Sequence, residues 1–274
     1  MENYKRKIMI TFKYILGGEI LCGLIKVGIS LYDSQHFLEV DFSKFDIGHF
    51  VVIILCGTIF NGTLWYLYAL MWTYITFAIF NYLKEKISVH VSVNSKLILI
   101  VVLLGIEIGG RIWCQSKFDI NEWIWLFRSF LLQGIPFMLI GKIIRIYEKN
   151  ILCLLSIKIC LFFLVIAYIL ALGEYVILKQ YLDVYPSTIL ITVLLFVLAL
   201  QVKKIRYLKI LKWIGKNISA YIYLFHFPII LIVNQERQLN LLGDIKPVIV
   251  IIITFIAATI WYYIVSLLSI TKVK

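Results

Sequence analysis

Asn217-Ile-Ser-Ala-Tyr-Ile-Tyr-Leu-Phe-His-Phe-Pro-Ile-Ile-Leu-Ile-Val-Asn234 decides how the rest of the chain is read. As a helix rising about 1.5 Å per residue, this run is long enough to cross the hydrocarbon core of a bilayer. Within it Ser219, Tyr223 and His226 stand four and three residues apart, a spacing that sets them on one helical face. Pro228 has no N–H to offer the Leu224 carbonyl, so a helix irregularity is expected beside the histidine. Polar side chains at membrane depth cost free energy and mark functional positions.

Working outward, the whole chain has the same character. It has 274 residues, of which 62% are hydrophobic and 15% charged, with a mean hydropathy of +0.95. Soluble domains carry roughly 25% charged residues. Long apolar runs recur at 8–32, 64–83, 97–114, 123–147, 151–178, 187–202 and 246–271. The expectation is an all-α polytopic membrane helix bundle of about eight transmembrane helices, forming a single domain over 1–274. The basic N-terminus leads into an apolar segment without a small-residue cleavage site, so it reads as a first helix and not as a signal peptide. The run 49–60 is too short for an ordinary span.

Orientation follows from the charges. With a cytoplasmic N-terminus and no crossing at 49–60, the inner connections (1–7, 84–96, 142–149, 203–216, 272–274) hold seventeen Lys/Arg and three acids. The outer loops (33–48, 115–122, 179–186, 235–245) hold four Lys/Arg and nine acids. A crossing at 49–60 would reverse that bias, so both termini are expected to be cytoplasmic and 49–60 a re-entrant or interfacial element on the outer side. The net charge of +12 therefore reflects short basic connections against membrane lipids and argues against nucleic acid as a partner. The five cysteines lie in or beside apolar stretches without a Cys-x-x-Cys, and neither a His-Glu-x-x-His metal motif nor a phosphate loop is present, so no bound metal or cofactor is expected.

The ionisable groups in apolar surroundings are the candidate site residues. Glu107 and Arg111, four apart on one helix face, read as a mutually neutralising pair or as part of a substrate site. Arg128 either snorkels or clamps an anionic sugar, a phosphate or a developing oxyanion. Glu174 is either solvated at the interface or a substrate contact. Trp65, Tyr66 and Tyr68, with Trp72 and Tyr74, read as an aromatic belt or as a stacking platform for a sugar ring. Lys203, Lys204 and Arg206 read as an anchor on anionic headgroups or as a surface for a phosphate-bearing cytosolic molecule such as coenzyme A. His226 packs by hydrogen bonding or serves as a general base, since imidazole titrates near neutrality. No Gly-x-Ser-x-Gly and no sequence-paired Cys and His are present, so transfer, if any, would be direct, without a covalent Ser or Cys intermediate.

Three stretches together resemble the membrane-bound acyltransferase type 3 family. Leu64-Trp-Tyr-Leu-Tyr-Ala-Leu-Met-Trp72 is similar to the family's Leu-Trp-Phe-Leu-x-Ala-Leu helix start. Arg128-x-Phe-x-x-x-Gly134-Ile-Pro-Phe-x-x-Ile-Gly141 is similar to its Gly-Ile-Pro-Phe-Phe-x-x-Gly segment. Ile214-Gly-Lys-Asn-Ile-Ser-Ala-Tyr-Ile-Tyr-Leu-Phe-His-Phe-Pro228 is similar to its Gly-x-x-Ser-x-x-x-Tyr-Leu-x-His-x-Pro signature. The resemblance implies a multi-pass cell-membrane protein that takes an acyl group, acetyl above all, from cytosolic acyl-coenzyme A. The acceptor would be a hydroxyl of a cell-surface polysaccharide or its lipid-linked glycan precursor. Arg128, Trp65, Tyr68, Tyr223, Glu107, Arg111 and Glu174 would then contact substrate, Lys203, Lys204 and Arg206 the donor, and His226 would be the remaining intramembrane imidazole. The family's N-terminal helical pair, with its arginine and its histidine base, has no match here; His36, His49 and His90 fall in loops. Two further readings stand beside this one: a non-catalytic relative of the family, and a polysaccharide polymerase or flippase.

Overall fold

The computed structural model describes residues 2–32, 64–88, 91–117, 126–178, 184–202, 209–235 and 245–271. All the described elements are helical: α1 (Glu2–Tyr32), α2 (Trp65–Ile87), α3 (Val93–Lys117), a π-helical turn (Phe130–Gly134) leading into α4 (Ile135–Ile146), α5 (Glu148–Leu154), α6 (Ile157–Leu178), α7 (Pro186–Val202), α8 (Lys209–Asn217), α9 (Ser219–Gln235) and α10 (Lys246–Thr271). The chain is an all-α, multi-helix membrane protein. Its helices carry lipid-compatible outer faces, with Val101 on α3, Ile177 on α6 and Ile251 on α10 each about two-thirds exposed or more.

Four helices are long and apolar enough to cross a membrane: Asn3–Gly28, Val93–Lys117, Ile157–Leu178 and Lys246–Leu267. Counting each bent pair as one span raises the number to six. Two of the eight expected crossings fall outside that set. The Trp- and Tyr-rich start of α2 and its Lys84-Glu85-Lys86 end lower its hydropathy, and α7, at 17 residues, is shorter than the ~20 of an ordinary span. The expected element at 49–60 lies outside the described residues.

One expected helix is broken where the sequence reading ran through, and another begins at a bend. The span expected at 217–234 corresponds to α9, and a 65° bend at the fully buried Ile218 separates it from α8 in the preceding basic connection. The Ser219 hydroxyl donates to the Gly215 carbonyl at 2.6 Å across this bend. The span drawn from 151 begins later: α5 turns 77° from the preceding helix, and α6 starts only at Ile157. Arg145 and Glu148 pair at that corner. Conversely, the irregularity expected at Pro228 is absent, because α9 continues through this buried proline. Neighbouring packing lets a membrane helix tolerate the lost donor.

The chain divides into two compact units, Met1–Tyr4 with Ala69–Arg206 and Lys5–Tyr68 with Tyr207–Lys274. In the first, Phe77, Ile100, Leu104 and Leu139 form one buried cluster, and Leu103, Cys114, Phe127 and Leu132 another. Helices α6 and α7 run antiparallel: Ser187 at the start of α7 meets Glu174 near the end of α6, and Gln201 near the end of α7 donates to the Leu155 carbonyl before α6. Fully buried Cys160 and Ala167 on α6 let the backbones approach, which matters where lipid removes the hydrophobic drive for helix association. In the second unit α9 packs along α10. A Cβ on Gly18 of α1 would meet methyl carbons of Leu64 and Leu224, each at 3.0 Å, so the missing side chain is what admits them.

Candidate active site

His226 lies one turn beyond Tyr223 on α9. Its Nδ1 is 2.5 Å from the Tyr223 carbonyl oxygen. A carbonyl only accepts, so Nδ1 carries the hydrogen and donates. In the neutral ring Nε2 is therefore the unprotonated nitrogen, available as acceptor or base. The Tyr223 ring packs at 5.4 Å from the imidazole, and Tyr66 stacks edge-on to Tyr223 at 5.9 Å. Tyr223 thus touches the half-buried imidazole through both its carbonyl and its ring.

The imidazole lines a groove of about 570 Å³ between α9 and α10. Ile222, Ile251 and Phe255 make its walls apolar, Lys246 stands at the start of α10, and Thr254 faces the same groove. Thr254 is only 2% exposed, and its Oγ1 has no hydrogen-bond partner among the described residues. A buried hydroxyl left unsatisfied costs roughly 1–3 kcal/mol, a cost that a bound acceptor atom would remove. The sequence reading missed Thr254 and Lys246. Thr254 is one threonine inside the apolar run 247–258, and its only sequence signal is that isolation. Ser219, expected on the same face as His226, is exposed and occupied with Gly215.

The other candidates of this unit are aromatic. Trp65 and Tyr68 are half-buried at the start of α2, with the Trp65 ring edge-on to Tyr66 at 6.2 Å.

The first unit holds a separate polar cluster. Glu107 is fully buried and Arg111 is 2% exposed, and their side chains pair at 3.6 Å across one turn of α3. Gln133 donates through Nε2 to Glu107 Oε1 at 3.2 Å, a partner 26 residues away that helical spacing on α3 could not reveal. The Arg111 guanidinium also sits 5.8 Å from the centroid of the Phe127 ring. Gln133 is placed by the π-helical turn. Pro136 offers no N–H to Leu132, and the chain takes a wider turn in which the Ile135 N–H reaches the Phe130 carbonyl. Ser129 caps that turn by accepting from the Leu132 N–H at 3.3 Å. Arg128, half-buried, directly precedes the cap.

Glu174 is half-buried. Its Oε2 accepts from the Ser187 hydroxyl and from the Ser187 N–H, the latter at 3.2 Å, at the N-terminus of α7. The carboxylate complements the positive end of that helix. The structure thus brings Glu107 and Arg111 together, and Tyr223 and His226 together, and leaves Glu174 in a cap of its own. Lys203, Lys204 and Arg206 lie outside the described residues, as do His36, His49 and His90.

Comparison with protein families matches residues 4–267 to an acyltransferase domain, that of the type 3 family. The chain belongs to the acyltransferase type 3 family. The match covers residues of both units, those around His226 and those around Glu107 alike. No curated protein and no solved structure matches this acyltransferase.

Proposed function

We propose that this acyltransferase moves an acyl group, acetyl in the simplest case, from a cytosolic coenzyme A thioester to a hydroxyl of a cell-surface polysaccharide or its lipid-linked precursor, and that it does so in the cell membrane. The observation that carries the reading is the His226 geometry: Nδ1–H is committed to the Tyr223 carbonyl, and Nε2 is left as base in a groove that also holds the Thr254 hydroxyl. Nε2 takes the proton of the acceptor hydroxyl as its oxygen bonds to the thioester carbonyl carbon. The Thr254 hydroxyl donates to the oxygen on which negative charge develops. The carbon–sulfur bond then breaks, and the imidazolium returns the proton to the departing thiolate. The Tyr223 carbonyl accepts from Nδ1–H throughout, which favours the charged ring between these steps. Trp65 and Tyr68 are proposed to stack on the acceptor sugar.

The test is transfer of radiolabelled acetyl from coenzyme A to glycan in membranes carrying His226→Gln or Thr254→Val. Loss of the base lowers turnover about 10²–10⁴-fold, and loss of one oxyanion donor about 10²-fold or more. Full turnover by the His226→Gln protein, at unchanged abundance and melting temperature, ends this assignment. Inactivity of the wild-type protein on every glycan acceptor favours the non-catalytic reading.

A further inference from the structure

Helix α8 stands at the corner that leads into α9, and its two sides differ in character. At 3.6 residues per turn, Lys209, Lys212 and Lys216 share one narrow edge, and Ile210, Leu211, Trp213 and Ile214 line the other side. All three lysines are exposed, and no Asp or Glu occurs from Lys203 to Asn217. The apolar side is largely bare as well: Ile210 is 72% exposed and Leu211 62%. Trp213 meets α10 of the same unit, edge-on to Tyr262 at 5.4 Å and 6.5 Å from the Tyr263 ring. The corner itself is closed by backbone bonds. The Ile218 N–H donates to the Ile214 carbonyl and the Ile222 N–H to the Ile218 carbonyl, both at 2.9 Å, so the ladder continues on either side of the bend. With the Ser219–Gly215 bond beside it, α8 is held 65° off the axis of α9.

A bilayer interface meets both sides of such a helix at once, the apolar side entering the acyl boundary and the cations reaching headgroups. The geometry agrees. Helix α10, against which Trp213 packs, is long and apolar enough to cross the membrane, and a helix turned 65° from a crossing neighbour runs nearer the membrane plane than its normal. Trp and Tyr side chains favour that boundary. The connection 203–216 is also one that the charge bias assigns to the cytoplasmic side. Three lysines with no acid among them are left unbalanced by a zwitterionic headgroup and are balanced by anionic ones. Each lysine near an anionic surface favours association about fivefold. A soluble anion would meet the lysines and leave Ile210 and Leu211 uncovered.

We propose that α8 is a docking surface for anionic phospholipid headgroups of the cytoplasmic leaflet. Lys209, Lys212 and Lys216 contact the phosphates, and Ile210, Leu211 and Ile214 insert among the first methylenes of the acyl chains. Because the corner at Ile218 is closed by hydrogen bonds, this docking also sets the depth of the inner end of α9. The surface stands whether or not the chain transfers acyl groups.

The experiment places the full chain in nanodiscs of phosphatidylcholine, with and without phosphatidylglycerol, and follows hydrogen exchange of the α8 amides by mass spectrometry. Phosphatidylglycerol slows that exchange in the wild-type protein. Lys209→Gln, Lys212→Gln and Lys216→Gln each reduce the slowing about fivefold, the triple variant removes it, and Lys→Arg at the same positions keeps it. Added salt weakens it. Ile210→Asn with Leu211→Asn leaves the three charges in place and still loses the slowing, because the apolar side no longer inserts. All the substituted side chains are exposed, and an unchanged melting temperature shows that the fold persists. Equal slowing in the triple variant, which shares any general effect of surface charge, overturns the proposal. So does slowing by inorganic pyrophosphate in phosphatidylcholine alone, which would make the lysines a soluble-anion site. Slowing that follows the number of chains per disc, whatever the lipid, overturns it too and makes the face a contact between copies.

Discussion

Gly134→Ala adds one methyl group to the π-helical turn, and the structure specifies what that methyl meets. A Cβ there would stand 2.0 Å from Thr73 Oγ1, 3.2 Å from the Ala69 carbonyl oxygen and 3.3 Å from Thr73 Cβ. Thr73 is fully buried, and its hydroxyl donates to the Ala69 carbonyl at 2.7 Å. Being β-branched, it has few alternative χ1 positions in a helix. Relief therefore requires either the loss of that hydrogen bond, about 1 kcal/mol, or displacement of the turn against α2, with overpacking of about 1–3 kcal/mol. The expected total is about 2–4 kcal/mol, measured by reversible unfolding in mixed micelles. Thr73→Ala removes the nearest obstacle and leaves two milder close contacts, at 3.2 Å to the Ala69 carbonyl oxygen and 3.3 Å to the Cβ at position 73, that a small shift relieves. Alone it costs about 1 kcal/mol or less; combined with Gly134→Ala it recovers at least ~1.5 kcal/mol, an interaction energy typical of touching residues. If Gly134→Ala lies within about 0.5 kcal/mol of wild type, or if the two changes simply add, the close approach described here is wrong.

Two further perturbations test the polar contacts of the same unit. Arg111→Ala leaves the Glu107 carboxylate buried without its guanidinium neighbour and destabilises by about 3–5 kcal/mol, whereas the double change Glu107→Leu with Arg111→Met costs less than either single removal. Additive losses in the unfolding measurement would show that the pair is not coupled. Glu174→Ala removes the acceptor of two Ser187 donors and lowers the protection of the first α7 amides by about 1–3 kcal/mol in hydrogen exchange; unchanged protection would mean that the cap does not hold α7.

The helical character of the chain was legible because apolar runs of bilayer length leave few alternatives, and the Glu107–Arg111 pair because a spacing of four is a contact on any helix. What stayed hidden depends on partners far along the chain. Gln133 reaches Glu107 only because Pro136 forces a wider turn, and that turn tightens against Thr73 of another helix. The break between α5 and α6 was masked by apolar residues continuing through it, since hydropathy carries no direction. Pro228 misled in the other direction: a lost donor suggests a kink, yet surrounding packing keeps α9 continuous. Thr254 was invisible because one threonine in an apolar run signals nothing until its hydroxyl is seen without a partner.

The π-helical turn also has a bearing on how such a chain tolerates length changes. A π-helical turn holds one residue more than an α-turn at the same place. Deleting Leu131 would let the segment close into regular helix, and everything before the deletion would rotate by about 100° relative to α4. Phe127 would swing off the Arg111 guanidinium, and Arg128 would exchange its face for a neighbouring one. Insertions and deletions are usually absorbed in loops; here a single residue inside a helical segment sets the angular register between the residues before the turn and those after it.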